Sequence, residues 1–96
     1  MPQIRKTAVF AKWLDALRDL QARARIQARI ARLEAGNPGD TKPVGEGVSE
    51  LRIDYGPGYR VYFTRHGRDV VVLLAGGDKR TQSADIRTAQ RLARNL

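Results

Sequence analysis

The sequence predicts a single α+β domain over residues 1–96, because the spacing of its apolar residues changes halfway along the chain. In the first half they recur at the spacing of amphipathic helices, and in the second half they alternate as in strands. The 42% hydrophobic and 29% charged residues also suit one folded domain. We therefore expect two helices packed on one face of an antiparallel sheet.

The first half of the chain contains two predicted helices. Residues 3–9 could form a short first strand, although the basic residues within it weaken that prediction. The first helix, at residues 10–20, has four apolar residues at helical spacing: Phe10, Trp13, Leu14 and Leu17. The second helix covers residues 20–35 and ends at the Gly36-Asn37-Pro38-Gly39 segment.

The second half contains three predicted strands. They cover residues 50–55, 59–65 and 69–75. Before them, residues 40–48 are rich in glycine and proline and form either a loop or a short edge strand. The last of the three is almost continuously apolar, which is typical of a strand buried on both faces. Gly56-Pro57-Gly58 and Gly67-Arg68 are the predicted turns.

A final helix is predicted over residues 81–95, after Gly76-Gly77. Thr81 or Ser83 could cap it, and Asp85 lies in its first turn. The predicted order is therefore β-α-α-β-β-β-α. This last helix either packs on the sheet or stands partly free.

The register of the predicted hairpin decides which side chains share a face. If Tyr55 opposes Tyr59, then Asp54 opposes Arg60 and Arg52 opposes Tyr62, all on one face. The alternate residues face the helices: Leu51, Ile53, Val61 and Phe63. A slip of one residue would turn this aliphatic set outwards, so the pattern supports the register.

Continuing the pairing across Gly67-Arg68 sets Arg60 beside Ala75, with the two glycines and Asp78 close by. The predicted result is a concave basic patch on the sheet. Its members are Arg52, Arg60, Tyr62, Lys79 and Arg80. Arginine and lysine bind phosphate and stabilise the charge of a phosphoryl transition state, whereas a tyrosine can stack on a base or move a proton.

A purely structural role for these residues is the alternative. Asp54 and Arg60 could form an exposed cross-strand ion pair, which contributes little to stability. Arg52 over Tyr62 could be a solvated cation–π contact. A basic sheet face is therefore a weaker indication of catalysis than of phosphate binding.

The charge balance points to an anionic partner. Eighteen Lys and Arg against ten Asp and Glu give a formal charge of +8 and a pI near 10.8. Such a chain is attracted to RNA, DNA, anionic membranes or an acidic protein. Three arginines of the second helix form a further basic face, which either docks on RNA phosphates or is only solvated: Arg25, Arg29 and Arg32.

Composition also excludes several classes of protein. The chain has no cysteine, so disulfides and thiolate metal sites are excluded, and we expect a reducing, cytoplasmic location. No apolar run approaches the roughly 20 residues of a membrane span. The first residues lack the apolar stretch of a signal peptide. We expect no metal, no cofactor and no membrane partner.

Several motifs resemble the HigB-like "addiction module killer protein" branch of the RelE/ParE toxins. The most specific are Gly56-Pro57-Gly58-Tyr59-Arg60-Val61-Tyr62 and Gly76-Gly77-Asp78-Lys79. Glu50-Leu51-Arg52, Gln82, Asp85-Ile86 and segments of the helical half also fit, so the resemblance covers nearly the whole chain. It implies a RelE-like fold, in which a helical hairpin packs on a curved antiparallel sheet, with an added C-terminal helix.

The resemblance also implies a function. It is that of the toxin of a type II toxin–antitoxin system, a metal-independent endoribonuclease that cleaves mRNA on the ribosome and arrests growth. The implied partners are the ribosome, mRNA and a helix-turn-helix antitoxin, through which alone the toxin contacts operator DNA. Arg60, Tyr62 and Lys79 match positions where such toxins carry active groups, and Arg52 and Arg80 are supporting candidates.

The chain departs from the resemblance in its histidines. Several HigB-type toxins place histidines in the active site, but this chain has only His66, at a predicted turn. The general acid and base are therefore not evident. Asp78 and Asp85 are candidate bases, although each also suits a structural role. Two other functions stay open: a ParE-like inhibitor that binds DNA gyrase without catalysis, and a nucleic-acid-binding module.

Overall fold

The computed structural model describes residues 2–96 and confirms the α+β class. The strands are β1 (Gln3–Lys6), β2 (Thr41–Gly45), β3 (Val48–Ile53), β4 (Tyr59–His66) and β5 (Val70–Asp78). The helices are α1 (Ala8–Ala16), α2 (Leu20–Glu34) and α3 (Gln82–Arg94), with a 3-10 turn at Lys79–Thr81 before α3. The predicted order holds with one strand added, because the segment at 40–48, predicted as a loop or a short edge strand, contains the edge strand β2. None of these helices is both long and apolar enough to cross a membrane.

The five strands form one sheet in the order β1-β5-β4-β3-β2. The neighbours from β5 to β2 run antiparallel, as expected, but β1 runs parallel to β5, so the sheet is mixed. The hydroxyl of Thr7 donates to the carbonyl of Leu74 over 2.6 Å and also caps α1 by accepting from the Phe10 amide. The Thr7 side chain therefore lies between β1 and α1, caps α1 and connects this junction to β5.

Each face of the sheet is covered by helices. Helices α1 and α2 bury Phe10, Leu14, Ile26 and Leu33 against the face that Leu51, Ile53, Val61 and Phe63 occupy. This is the face predicted for the aliphatic set. Helix α3 packs on the other face through Ala89, over Val48, Tyr62 and Leu74. The last helix therefore does not stand free.

The register of the β3–β4 hairpin differs by two residues from the prediction. Arg52 pairs with Arg60, Ile53 with Tyr59 and Glu50 with Tyr62. The reason is that β3 ends at Ile53, so the connection runs over five residues, from Asp54 to Gly58, instead of three. Because the shift is even, each side chain stays on its predicted face. The cross-strand pair of Asp54 with Arg60 is, however, wrong.

The pairing of β4 with β5 also differs. Arg60 lies opposite Gly77, not Ala75, and Tyr62 lies opposite Ala75. The register shifts between Tyr62 and Phe63 because β5 has an extra residue there, Leu74, which forms a bulge. Strand β5 then continues through both glycines to Asp78. Glycine is required at both positions because there is no space for a side chain. A Cβ at Gly76 would overlap the Trp13 ring, and a Cβ at Gly77 would overlap the Asp85 carboxylate.

Candidate functional site

An open cleft of about 510 Å³ lies where the β3–β4 loop meets the end of β5. We call it the hairpin cleft. Its walls carry three cationic residues, Arg52, Arg60 and Lys79, and two carboxylates, Asp40 and Asp54. The rest of the lining is Ile53 and the Gly56-Pro57-Gly58 segment. Three of the five residues predicted for the basic patch therefore meet at one cleft.

Arg60 is held in a fixed position at the floor of the hairpin cleft. Its Nη1 donates to the carbonyl oxygens of Gly58 (3.1 Å) and Tyr59 (3.2 Å). Its Nε lies 3.5 Å from Oε1 of Glu50, and only 13% of its side chain is exposed. A guanidinium with this many contacts loses little further freedom when it binds an anion.

Glu50 is the buried counter-charge of Arg60 and was missed by the sequence reasoning. Its carboxylate is 1% exposed and accepts a hydrogen bond of 2.7 Å from Nε2 of Gln82, at the start of α3. Glu50 therefore links β3, β4 and α3 behind the cleft. The sequence did contain a signal. Glu50 occupies a strand position on the same face as Arg52, and this is the face that the last helix covers.

Arg52 and Asp40 form an exposed ion pair on one wall of the cleft. Nη2 and Nε of Arg52 lie 2.8 and 3.2 Å from Oδ1 of Asp40. This hydrogen bond lowers the pKa of Asp40 and raises the pKa of Arg52. Arg52 therefore offers a partly neutralised charge to a ligand.

Lys79 and Arg80 follow β5 directly but point to different neighbours. Lys79 lines the cleft beside the hairpin loop, where a Cβ added to Gly58 would lie 3.6 Å from its own Cβ. Arg80 turns back to Asp78, with Nη2 to Oδ2 at 3.0 Å, and its backbone amide donates to Oδ1 over 2.8 Å. These bonds lower the pKa of Asp78. Arg80 does not line the cleft.

Tyr62 lies outside the cleft, although it shares a sheet face with Arg60. It is fully buried beneath α3, and among residues 2–96 its hydroxyl has no hydrogen-bond partner. Burial, together with the nearby charge of Glu50, raises the pKa of Tyr62 well above its usual range. The structure therefore does not bring Tyr62 into the patch that the sequence predicted.

A second, smaller cleft adjoins the first along α2. Arg25, Ala28, Arg29 and Arg32 line it, and Ile53 and Asp54 belong to both clefts. Arg29 has a structural role here, because it donates to the carbonyl oxygens of Arg52 (2.6 Å) and Pro38 (3.0 Å). Burial and the neighbouring Arg32 lower the pKa of Arg29.

Arg25 and Arg32, the other two arginines of the predicted basic face, are exposed. The guanidinium of Arg25 lies over the ring of Tyr55, 4.7 Å from its centre. Arg25 and Arg32 are thus the members of this basic face that remain accessible to an anion.

The other candidate groups lie elsewhere. His66 is exposed and lines a separate groove with Arg5 and Val70, away from the hairpin cleft. The Asp85 carboxylate accepts a hydrogen bond of 2.5 Å from the Thr81 hydroxyl. Within residues 2–96, no three histidine, aspartate or glutamate side chains are grouped as metal ligands.

Sequence comparisons place this fold and cleft in a family. The family model described as "Phage derived protein Gp49-like (DUF891)" matches residues 12–95, which include every residue of the hairpin cleft. A protein of Haemophilus influenzae, described only as uncharacterized, is 52% identical over 94 residues, which cover 98% of this chain and 95% of the relative. The chain therefore belongs to the Gp49-like family, which is associated with toxin–antitoxin systems.

Proposed function

We propose that this protein is the toxin of a type II toxin–antitoxin system and that it cleaves mRNA on the ribosome without a metal ion. One observation carries the proposal. Arg52, Arg60 and Lys79 converge on an open cleft beside a glycine-rich loop, and Arg60 is fixed there by two carbonyl oxygens and a buried carboxylate. A guanidinium held in place and two further cations beside an open glycine-rich loop suit the binding of a phosphodiester.

Arg60 and Lys79 carry the chemistry in this proposal. The guanidinium of Arg60 stabilises the extra negative charge on the phosphoryl oxygens as the transition state forms. Lys79, which like Arg60 lies next to Gly58 of the hairpin loop, contacts the leaving 5′-oxygen. Removing one preorganised donor of this kind typically slows a reaction by about 10²–10³-fold. Arg52 assists in binding, since Asp40 already neutralises part of its charge.

Tyr62 takes a supporting part in this scheme. Its ring fills the space between the sheet and α3, next to the Glu50 and Gln82 pair that holds Arg60. The proposed cleavage therefore does not require its hydroxyl. Outside the cleft, three exposed arginines provide further RNA contacts: Arg25, Arg32 and Arg80.

The requirement for a ribosome follows from the shape of the site. The hairpin cleft is open, and two carboxylates share its lining with the three cations, so it holds an RNA strand in line only weakly. A ribosome that fixes the mRNA supplies the orientation. The formal charge of +8 draws the protein to ribosomal RNA, and this attraction weakens steeply with salt.

The same basic surface predicts the protein partner. We infer an antitoxin with an acidic segment that neutralises the toxin by covering basic surface, and with a helix-turn-helix domain that binds operator DNA. A disordered acidic segment that folds on binding would match so strongly charged a toxin. In this scheme, the toxin reaches operator DNA only through the antitoxin.

The test is to express the chain in bacteria without an antitoxin and to map new 5′ ends on mRNA. Cuts within translated frames that disappear in the Arg60→Ala/Lys79→Ala double variant are expected. Lys12→Ala/Arg87→Ala is the matched control, because it removes the same two charge types from exposed positions outside the cleft. Growth arrest with intact mRNA would contradict the proposal and favour gyrase inhibition, which a DNA supercoiling assay then measures.

A further inference from the structure

The cations of the hairpin cleft leave one chemical requirement unmet. RNA cleavage by the 2′-hydroxyl needs a group that accepts its proton. Arginine does not lose its own proton in proteins, so Arg52 and Arg60 cannot serve. Lys79 is an ammonium donor in the proposed scheme, and Tyr62 is buried without contact to the cleft. The proton acceptor must therefore be sought among the carboxylates.

Five of the six carboxylates around the hairpin and the end of β5 are already engaged. Asp19 caps α2 and accepts a hydrogen bond from the Tyr55 hydroxyl, and the other four form side-chain pairs. The pairs are Glu50 with Gln82, Asp40 with Arg52, Asp78 with Arg80 and Asp85 with Thr81. Each of these bonds occupies lone pairs that a proton would use. Glu50 is, in addition, closed to solvent.

Asp54 is the exception. It is exposed, it is the first residue of the β3–β4 loop, and no ion pair within residues 2–96 involves it. It lines the hairpin cleft and also the adjoining α2 cleft, so it stands where an RNA strand would pass from one to the other. We propose that Asp54 is the general base of the cleft, an inference that rests on the proposed ribonuclease function.

The reaction balances with these residues alone. The Asp54 carboxylate takes the proton of the 2′-hydroxyl, and the 2′-oxygen forms a bond to phosphorus. The bond from phosphorus to the 5′-oxygen breaks, and the Lys79 ammonium gives that oxygen a proton. The products are a 2′,3′-cyclic phosphate and a 5′-hydroxyl. Proton exchange with water then restores both side chains.

The experiment compares purified variants on ribosomes programmed with a defined mRNA. Asp54→Asn is expected to lower kcat by at least about 100-fold, the usual contribution of a general base, with ribosome association within about threefold of wild type. Asp54→Glu keeps the carboxylate and is expected to recover at least tenfold of the loss. Asp69→Asn, exposed at the far turn between β4 and β5, is the matched control and should cleave as wild type does.

The outcomes separate this inference from the proposed function. If the wild-type protein makes no cuts, the ribonuclease function itself fails. If wild type cleaves and Asp54→Asn cleaves equally well, or if Asp54→Glu is no better than Asp54→Asn, the assignment of Asp54 is overturned and the function stands. An mRNA with a 2′-deoxynucleotide at the cut site should resist wild type, and cleavage of that mRNA would also overturn the proposed step.

Discussion

The two faces of the sheet bury different kinds of side chain. Under α1 and α2 the buried set is apolar and aromatic, with Phe10, Ile26 and Leu33 at its centre. Under α3 the sheet also buries the Glu50 carboxylate and the Tyr62 hydroxyl, which has no hydrogen-bond partner in the part of the chain that the structure describes. The same strands therefore support a conventional core on one side and a partly polar layer on the other.

The difference assigns separate tasks to the two faces. Buried polar groups cost stability unless each is fully hydrogen-bonded, so the α3 face is the weaker contributor to folding. In return, its carboxylate fixes Arg60 at the hairpin cleft and anchors the start of α3 through Gln82. The α1–α2 face stabilises the domain, whereas the α3 face positions the site.

The largest effect should come from the apolar face. Phe10 is fully buried and packs against the Trp13 ring, with ring centres 5.8 Å apart. Phe10→Ala is expected to lower the free energy of unfolding by about 3–5 kcal/mol, through lost burial and the cavity left behind. Urea denaturation measures this loss. A loss below about 1 kcal/mol would contradict the division between the two faces.

A smaller loss of stability and a larger loss of activity should come from Glu50. Glu50→Ala leaves Arg60 without its buried counter-charge and Gln82 without an acceptor, at a cost of roughly 1–3 kcal/mol. Cleavage should fall more than stability predicts, because Arg60 is no longer held in place. The two are separated by assaying mRNA cleavage well below the melting temperature. Full cleavage by a folded Glu50→Ala variant would show that Arg60 needs no such support.

The smallest effect near neutral pH should come from Tyr62. Tyr62→Phe removes a buried hydroxyl that has no hydrogen-bond partner among the described residues 2–96. The free energy of unfolding should therefore change by less than about 1 kcal/mol, with either no loss or a gain. Cleavage should persist. Loss of cleavage in a stable Tyr62→Phe variant would show that the hydroxyl takes part in catalysis.

The same variant should differ from wild type at alkaline pH. Because the pKa of Tyr62 is raised in the fold, the unfolded chain releases this proton first as the pH rises above about 10, the usual tyrosine pKa. Protonated Tyr62 therefore contributes its full stabilisation to the fold below that pH. Above it, the free energy of unfolding falls by at most about 1.4 kcal/mol per pH unit. Tyr62→Phe should therefore show a shallower decline. Parallel curves for the two proteins would refute the burial of an ionisable hydroxyl.

The sequence predicted face and order better than register. The alternation of apolar and polar residues predicted correctly which face of the sheet each residue of β3 occupies. The predicted pairing was wrong by two residues, but the faces stayed correct because side chains in a strand alternate with a period of two. The loop length and the bulge in β5 depend on tertiary packing, for example of Trp13 over Gly76. The parallel alignment of β1 pairs residues too distant in the chain for local patterns to reveal.

The candidate site was predicted in part. Arg52, Arg60 and Lys79 follow from the hairpin and the end of β5, and the structure brings them together. Tyr62 was assigned to the open patch because no pattern within the strands shows that α3 covers this face. Arg29 was grouped with the α2 cations, although its partners are backbone carbonyls of the following segment, which no helical spacing identifies.

The parallel pairing of β1 with β5 has a consequence for biosynthesis. The bond between Thr7 and Leu74 joins residues 67 positions apart. At a translation rate of about 5–20 residues per second, the N-terminal strand leaves the ribosome several seconds before its partner exists. Because Lys79 follows β5, the cleft is also incomplete until then. The nascent chain therefore cannot close the sheet or complete the proposed site before residues 70–79 have been synthesised.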